Sequence, residues 1–366
     1  MHKILWYFHD VGGLNFCLPV IAKLSKMPDV SLDIFCAGPA IQYARSQGID
    51  SQEIVPAKES DMDNMLNMSK PDLLITGTSR SVKNEIEIWK AAKKRMLTCV
   101  SVIDYWMDPL FRFTKDGECL FPDIIIVPNR SIALEIKDKY KFDGTEVVAL
   151  GHPYLESIQS YAQHYQKPDF FRDIGLKTDI PTVAYFSDTI SLGSDSRNIK
   201  FDRGLFYGID EKKALSFLTE ALNKLATSGK KIQLIVKHHP SESPDNLAPL
   251  LEPLNDKGIC AVADKYDSRE IIYHCDATFS VFGMPLLEAH IMKKPAFSIC
   301  NSRVEDIVWN RTPFDIPTLK NAEQIRKIIL RLPQSSITGN KHIDKVNICG
   351  STNRVIELLI GILNRA

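Results

Sequence analysis

The chain has 366 residues, with 45 Lys+Arg balancing 45 Asp+Glu for a formal net charge of +0. A content of 44% hydrophobic and 25% charged residues excludes a disordered, collagen-like or coiled-coil chain, and the balanced charge excludes the broad basic footprint of a nucleic-acid binder. At about 150 residues per domain, the length predicts two domains.

Along the chain, short β-rich runs alternate with helical stretches. KILWYF is a strand, HDVGGLN a glycine turn, and LPVIAKLSKM a helix with apolar residues at helical spacing. SLDIFCAG, DLLITGTS, LTCVSVID, PDIIIVPN and TEVVALG read as further strands, and SQEIVPA as a short one. AIQYARSQG, SDMDNMLNM, VKNEIEIWKAAKKR and SIALEIKDKYK read as the helices between them. The segment from GHPYLESIQ to KTDIP is polar and proline-punctuated, with one helical patch. The rhythm then restarts. PTVAYFSD, KIQLIVKHHP, GICAVAD, DATFSVFG and KPAFSIC are strands. DEKKALSFLTEALNKLATSG, SREIIYHC, PLLEAHIMKK, AEQIRKIILRL and STNRVIELLIGILNRA are helices. Such alternation predicts an α/β protein with parallel sheets covered on both faces. The expected domains are residues 1–155 and 165–348, followed by a last helix over 350–366.

The eight cysteines are irregularly spaced and form no C-x-x-C pair, which argues against zinc and for a reducing, cytoplasmic compartment. MHKILWYFHDVGG lacks the apolar core of a signal peptide, and no run is long enough to span a membrane.

Chemistry in parallel α/β sheets collects beyond the carboxyl ends of the strands. Five strand ends carry suitable residues. The first is His9-Asp10-Val11-Gly12-Gly13, whose two glycines let backbone approach a ligand. It is not G-x-G-x-x-G, so the dinucleotide fingerprint is missing. The second is Thr76 to Arg80, where Thr78 offers a hydroxyl to sugar or phosphate or a helix cap. The third runs from Asp104 to Asp108, with Arg112 downstream and Trp106 as a flat surface for a sugar ring. Asp104, ending an apolar strand, is the first candidate general base, and Asp10 the second. The fourth is Lys237-His238-His239-Pro240, where strand alternation puts Lys237 and His239 on one side and His238 on the other. The fifth is the turn from Ser280 through Gly283 into a helix beginning at Pro285 and carrying Glu288. Its helix N-terminus suits an anion. Ser187, closing PTVAYF, joins this donor-side group.

These residues resemble the GT-B glycosyltransferases and the related non-hydrolysing UDP-N-acetylglucosamine 2-epimerases. The likeness lies in two Rossmann-like halves, a glycine turn after the first strand, a strand ending in His-Pro, and Pro-Leu-Leu-Glu-Ala followed by Lys-Lys-Pro-Ala. Gly151-His152-Pro153 resembles the Gly-x-Pro that begins the interdomain crossing, and the closing helix resembles the one that returns to the first domain. The resemblance implies two Rossmann-like domains facing across a cleft. It implies donor phosphate held by His239, Pro240, Lys237, Ser280 and Gly283, and donor ribose by Glu288. The acceptor or sugar falls to Gly12, Gly13, Thr78 and Trp106. No metal and no cofactor are implied, since the activated sugar is a co-substrate. The expected function is glycosyl transfer to a glycan or lipid-linked acceptor in bacterial surface polysaccharide synthesis, with room for peripheral association with the inner membrane or a synthesis complex. A nucleotide-sugar 2-epimerase and a non-catalytic GT-B binding subunit are the alternatives. UDP, CMP, CDP, GDP and phosphoribosyl diphosphate all stay open as donors.

Overall fold

The computed structural model describes residues 1–54, 59–79, 82–106, 112–115, 117–140, 142, 144–165, 169–191, 208–240, 242–309, 312, 314–332 and 348–365. Arg80 and Asp108, named above, lie outside these residues. The chain divides into two compact units, Met1–Ser157 with Val346–Ala366, and Ile158–Lys345.

Unit 1 is built on a seven-stranded parallel sheet. Its strands are β1 (His2–Phe8), β2 (Val30–Cys36), β3 (Gln52–Glu53), β4 (Leu73–Thr76), β5 (Cys99–Val102), β8 (Ile124–Val127) and β9 (Glu146–Ala149), in the order β3-β2-β1-β4-β5-β8-β9. Helices α1 (Val11–Leu24), α2 (Pro39–Ser46), α3 (Glu59–Ser69), α4 (Asn84–Lys94) and α5 (Arg130–Lys139) connect them. Residues Ile4 to Phe8 of β1 are all 0% exposed, as a central strand covered on both faces requires. A small antiparallel hairpin, β6 (Thr114–Lys115) with β7 (Glu118–Cys119), interrupts the rhythm before β8. Neither strand of the hairpin lies in an apolar run, as β3 does in SQEIVPA, so nothing in the sequence announces it.

Unit 2 repeats the plan with six parallel strands. These are β10 (Thr182–Phe186), β11 (Gln233–Lys237), β12 (Cys260–Val262), β13 (Ala277–Ser280), β14 (Ala296–Ile299) and β15 (Thr318–Leu319), in the order β12-β11-β10-β13-β14-β15. Helix α6 (Pro153–His164) runs across the boundary between the units, and the short α7 (Phe170–Asp173) follows it. Helices α8 (Glu211–Thr227), α9 (Ala248–Asn255), α10 (Ser268–His274), α11 (Met284–Ile291), α12 (Ser302–Ile307) and α13 (Ala322–Ile329) belong to the body of this unit. Helix α9 was not expected. Its two prolines read as breakers, yet Pro249 sits in the first turn, where no N–H is needed, and the helix carries Pro253 in its interior. The capping box of α10, Asp267 with Glu270, is a local signal that the structure uses in full.

The last helix, α14 (Ser351–Leu363), belongs to unit 1, where Val355, Ile356, Leu359 and Leu363 join the core packed on α1. No side chain of its own caps it. Glu156 of α6 does so instead, accepting from the Gly350 N–H at 2.5 Å, the Thr352 N–H at 2.9 Å, and the Ser351 and Thr352 hydroxyls. Burial works against the Glu156 charge, but these bonds outweigh it and hold its carboxyl below the ordinary range. A depressed carboxylate stabilises the fold above its unfolded pKa and loses that contribution as pH falls through the folded one. Glu156→Ala is expected to cost about 2 kcal/mol at pH 7, with the deficit shrinking under acid. Thermal melts of variant and wild type at pH 7 and pH 4 check this. Equal deficits at the two values refute the charge-based account.

Candidate functional site

In both sheets the strand order reverses beside the first strand, between β1 and β4 in unit 1 and between β10 and β13 in unit 2. The candidate residues lie at the ends of those four strands, in the helices that follow them, and at the ends of β5 and β11 beside them.

In unit 1 the turn after β1 brings His9 and Asp10 together, with His9 Nδ1 2.7 Å from Asp10 Oδ1. Burial opposes a charge on His9, but the hydrogen bond and charge of Asp10 outweigh it and raise the imidazole pKa. Asp10 occupies the N-cap position of α1 without capping it. Gly13 lies against the turn after β4 so closely that an added Cβ would stand 2.9 Å from the Gly77 Cα. Only glycine allows this backbone-to-backbone approach.

Asp104, beyond β5, is not a lone carboxylate. Arg112 donates to its Oδ1 at 2.7 Å, and the same Arg112 nitrogen donates to the Thr78 carbonyl and hydroxyl at 2.9 Å each. The Thr78 hydroxyl in turn donates to the Val102 carbonyl at 3.0 Å. Thr78 is therefore a strut for the guanidinium, and its hydroxyl is engaged within the protein. The other Asp104 oxygen leans over Gly12, where an added Cβ would lie 1.8 Å from Oδ2. The Asp104 carbonyl is held by His152 Nε2 at 2.9 Å. Burial pushes the His152 pKa down to about 4, so this imidazole is neutral and donates. Trp106 stacks on His152 with centroids 5.9 Å apart and planes 14° apart, and it is 1% exposed. This corrects its expected role, because a buried indole presents no open face to a sugar. Its place between β5 and α6 makes it a support for Asp104.

Sequence reasoning passed over Glu85. This α4 residue is 2% exposed and accepts from the Ser79 N–H and hydroxyl at 2.9 and 2.5 Å, closing the loop after β4. Burial pushes its carboxyl up, against those hydrogen bonds.

In unit 2 the switch point is dominated by Asp188, one residue beyond Ser187 and also passed over. Its Oδ2 accepts from the Ser280 hydroxyl at 2.8 Å and from the Val281 and Phe282 N–H groups at 2.9 and 3.3 Å. Burial pushes its carboxyl up to about 6 in spite of these bonds. The expected phosphate contact at Ser280 is thus revised, since its hydroxyl and the two following N–H groups already serve an internal carboxylate. Gly283 follows as the N-cap of α11. Glu288, expected on a ribose, is 2% exposed, and its charge acts on Lys237 and Tyr161.

At the end of β11 the side chains of Lys237 and His238 both reach Asp264. Lys237 and His239 are half-buried and His238 is buried. Lys237 donates to the Asp264 carbonyl at 2.8 Å, and burial pushes its ammonium pKa down. The His239 N–H points to Glu242 at 3.4 Å, and Pro240 is exposed. Ser187 is 7% exposed and lies beside this strand end. Among the described residues no group of three or more His, Cys, Asp or Glu is gathered as a metal site, and no helix is long and apolar enough to cross a membrane.

No protein-family model matches the chain, and no curated protein matches it. Solved structures do. A UDP-GlcNAc 2-epimerase from Neisseria meningitidis bound to UDP-GlcNAc is similar with a TM-score of 0.71 at 10% identity, over 98% of this chain and 100% of that one. MnaA from S. aureus, in a co-structure with UDP, also scores 0.71, at 12% identity over 100% and 97%. The fold is of the GT-B type. MurG from Acinetobacter baumannii shares it with a TM-score of 0.55 at 10% identity, over 99% and 100%. At these identities the likeness speaks for the GT-B fold and leaves the activity to the residues of this chain.

Proposed function

We propose that this GT-B protein acts on a nucleoside-diphosphate sugar, and that its reaction is 2-epimerisation. The observation that supports this is the whole-length match to epimerase structures, one bound to UDP-GlcNAc, which exceeds the match to MurG. In this reading unit 2 holds the nucleotide through the ends of β10, β11 and β13. Unit 1 supplies the acid–base groups.

The chemistry fits those groups. C2 has no carbonyl beside it, so its proton leaves only as the C1–O bond to the nucleoside diphosphate breaks and a C1–C2 double bond forms. The diphosphate then adds back at C1 while a proton is delivered to the other face of C2, with a base for the first step and an acid for the second. Unit 1 offers two ionisable pairs at strand ends, His9 with Asp10 and Asp104 with Arg112. Each is preorganised by its partner, which saves reorganisation during proton transfer. We assign Asp104 as the base and Asp10 with His9 as the second proton carrier.

The test is incubation with UDP-GlcNAc alone in D2O, read by proton NMR. The expected result is a C2 epimer carrying deuterium at C2. An unchanged nucleotide sugar that is consumed only after a glycan or lipid-linked acceptor is added overturns epimerisation. That outcome would establish glycosyl transfer, the reading to which the His-Pro strand end and the MurG match lend support.

A further inference from the structure

The mechanism leaves a second polar group in unit 2 unexplained. His238 is held twice by Asp264, its N–H to Oδ1 and its Nδ1 to Oδ2, both at 2.8 Å. The ring is fixed, its side chain is 5% exposed, and Nε2 is buried with no hydrogen-bond partner among the described residues. Glu242 is 8% exposed, and its Oε1 is likewise buried without a partner. The two groups are neighbours. Phe186 pairs with Lys237 across β10 and β11, and the Ser187 N–H bonds the Lys237 carbonyl, so Ser187 stands beside His238. Glu242 lies within reach of the Ser187 hydroxyl and of the His238 ring. Buried polar atoms are almost always satisfied, so two orphans around one strand end mark a missing partner.

The chemistry of the pair selects that partner. With Nδ1–H directed at the Asp264 carboxylate, a neutral His238 offers Nε2 as an acceptor. Glu242 Oε1 is also an acceptor when ionised. A phosphate could satisfy only a protonated His238 and would be repelled by an ionised Glu242. Hydroxyl groups donate to both. We propose that His238 and Glu242 form a two-point site for a pair of neighbouring hydroxyls on the nucleotide sugar. The pair comes either from the ribose or from the hexose. This rests on the nucleotide-sugar reading and adds a binding site that neither His239 nor Glu288 supplies.

Isothermal titration separates the possibilities. Wild type, His238→Ala and Glu242→Gln are each titrated with UDP, 2′-deoxy-UDP and UDP-GlcNAc, after a thermal melt shows that each variant is folded. Losing one such bond is expected to weaken binding by about ten- to a hundred-fold in a variant. If the ribose is the partner, UDP binding weakens in both variants, and wild type already binds 2′-deoxy-UDP as weakly as the variants do. If the hexose is the partner, UDP binds all three proteins alike and only UDP-GlcNAc binding weakens. Wild-type affinity in both folded variants for every ligand overturns the two-point site while leaving the nucleotide-sugar reading intact. Failure of wild type to bind any of the three overturns that reading, and the site with it. Should His238→Ala not fold, Glu242→Gln, which keeps the side-chain shape, carries the test alone.

Discussion

Asp104→Asn should lower turnover of the nucleotide sugar by about 10²–10⁴-fold, the usual contribution of a positioned base. The amide keeps the shape and keeps an oxygen for Arg112, so the fold should survive. A second variant tests the same group from the other side. At Gly12 an added Cβ would stand 1.8 Å from Asp104 Oδ2. The carboxylate must then swing away, yet its other oxygen is tied to Arg112, which is itself tied to Thr78. Gly12 lies in the first turn of α1, where alanine is the better helix former by about 1 kcal/mol. Gly12→Ala is therefore expected to cut turnover at least ten-fold and to lower the melting temperature, since the gain in helix propensity offsets only part of the cost of displacing the Asp104 carboxylate from Arg112. Turnover assays beside thermal melts measure the two effects separately. If both variants turn over normally, Asp104 is not the base and His9 with Asp10 must carry the proton chemistry.

This constellation shows where sequence reading stops. Each of Gly12, Thr78, Asp104 and Trp106 was visible as a residue at a strand end, because buried parallel strands announce themselves as apolar runs broken by glycine and small polar residues. Their mutual arrangement was not visible. It depends on β1, β4 and β5 lying side by side, and on Arg112 and His152 arriving from elsewhere in the chain. His152 read as the variable middle of Gly-His-Pro. Its burial, and hence its neutral state and its bond to Asp104, belongs to the tertiary structure alone. Trp106 failed for the same reason. An indole at a strand end reads as open surface until the His152 ring that stacks on it is in place. The two Rossmann-like units were legible because the strand–helix alternation runs twice with a polar break between. The short strands β6, β7 and β15 were not, since none of them lies in an apolar run.

Asp188 was hidden in plain sight, two residues beyond β10, and its removal should give the largest stability loss in unit 2. Three donors converge on its Oδ2: the Ser280 hydroxyl and the Val281 and Phe282 N–H groups. Asp188→Ala takes the carboxylate from the Val281 and Phe282 N–H groups, while the Ser280 hydroxyl keeps the Phe186 carbonyl at 2.8 Å, at a cost of about 2–4 kcal/mol. At the size of unit 2 that corresponds to a fall in melting temperature of roughly 5–15 °C. The pH dependence follows from the raised carboxyl, about 6 in the fold against an ordinary value of 3.8. Between those values the folded state holds a proton that the unfolded state has released. Stability therefore falls as pH rises through the window from about 4 to 6, by on the order of 2–3 kcal/mol, and levels off above it. Other groups titrate in the same range, burial raising Glu85 and Glu242 while Glu156 is lowered, so the informative quantity is a difference between proteins. Asp188→Asn cannot titrate. Wild-type stability minus that of Asp188→Asn should fall across the window and stay flat above pH 7. A difference that does not change with pH would mean that the buried carboxyl is already ionised at pH 4. The converging donors would then outweigh its desolvation, leaving Asp188 a fixed internal anion at the N-terminal end of α11.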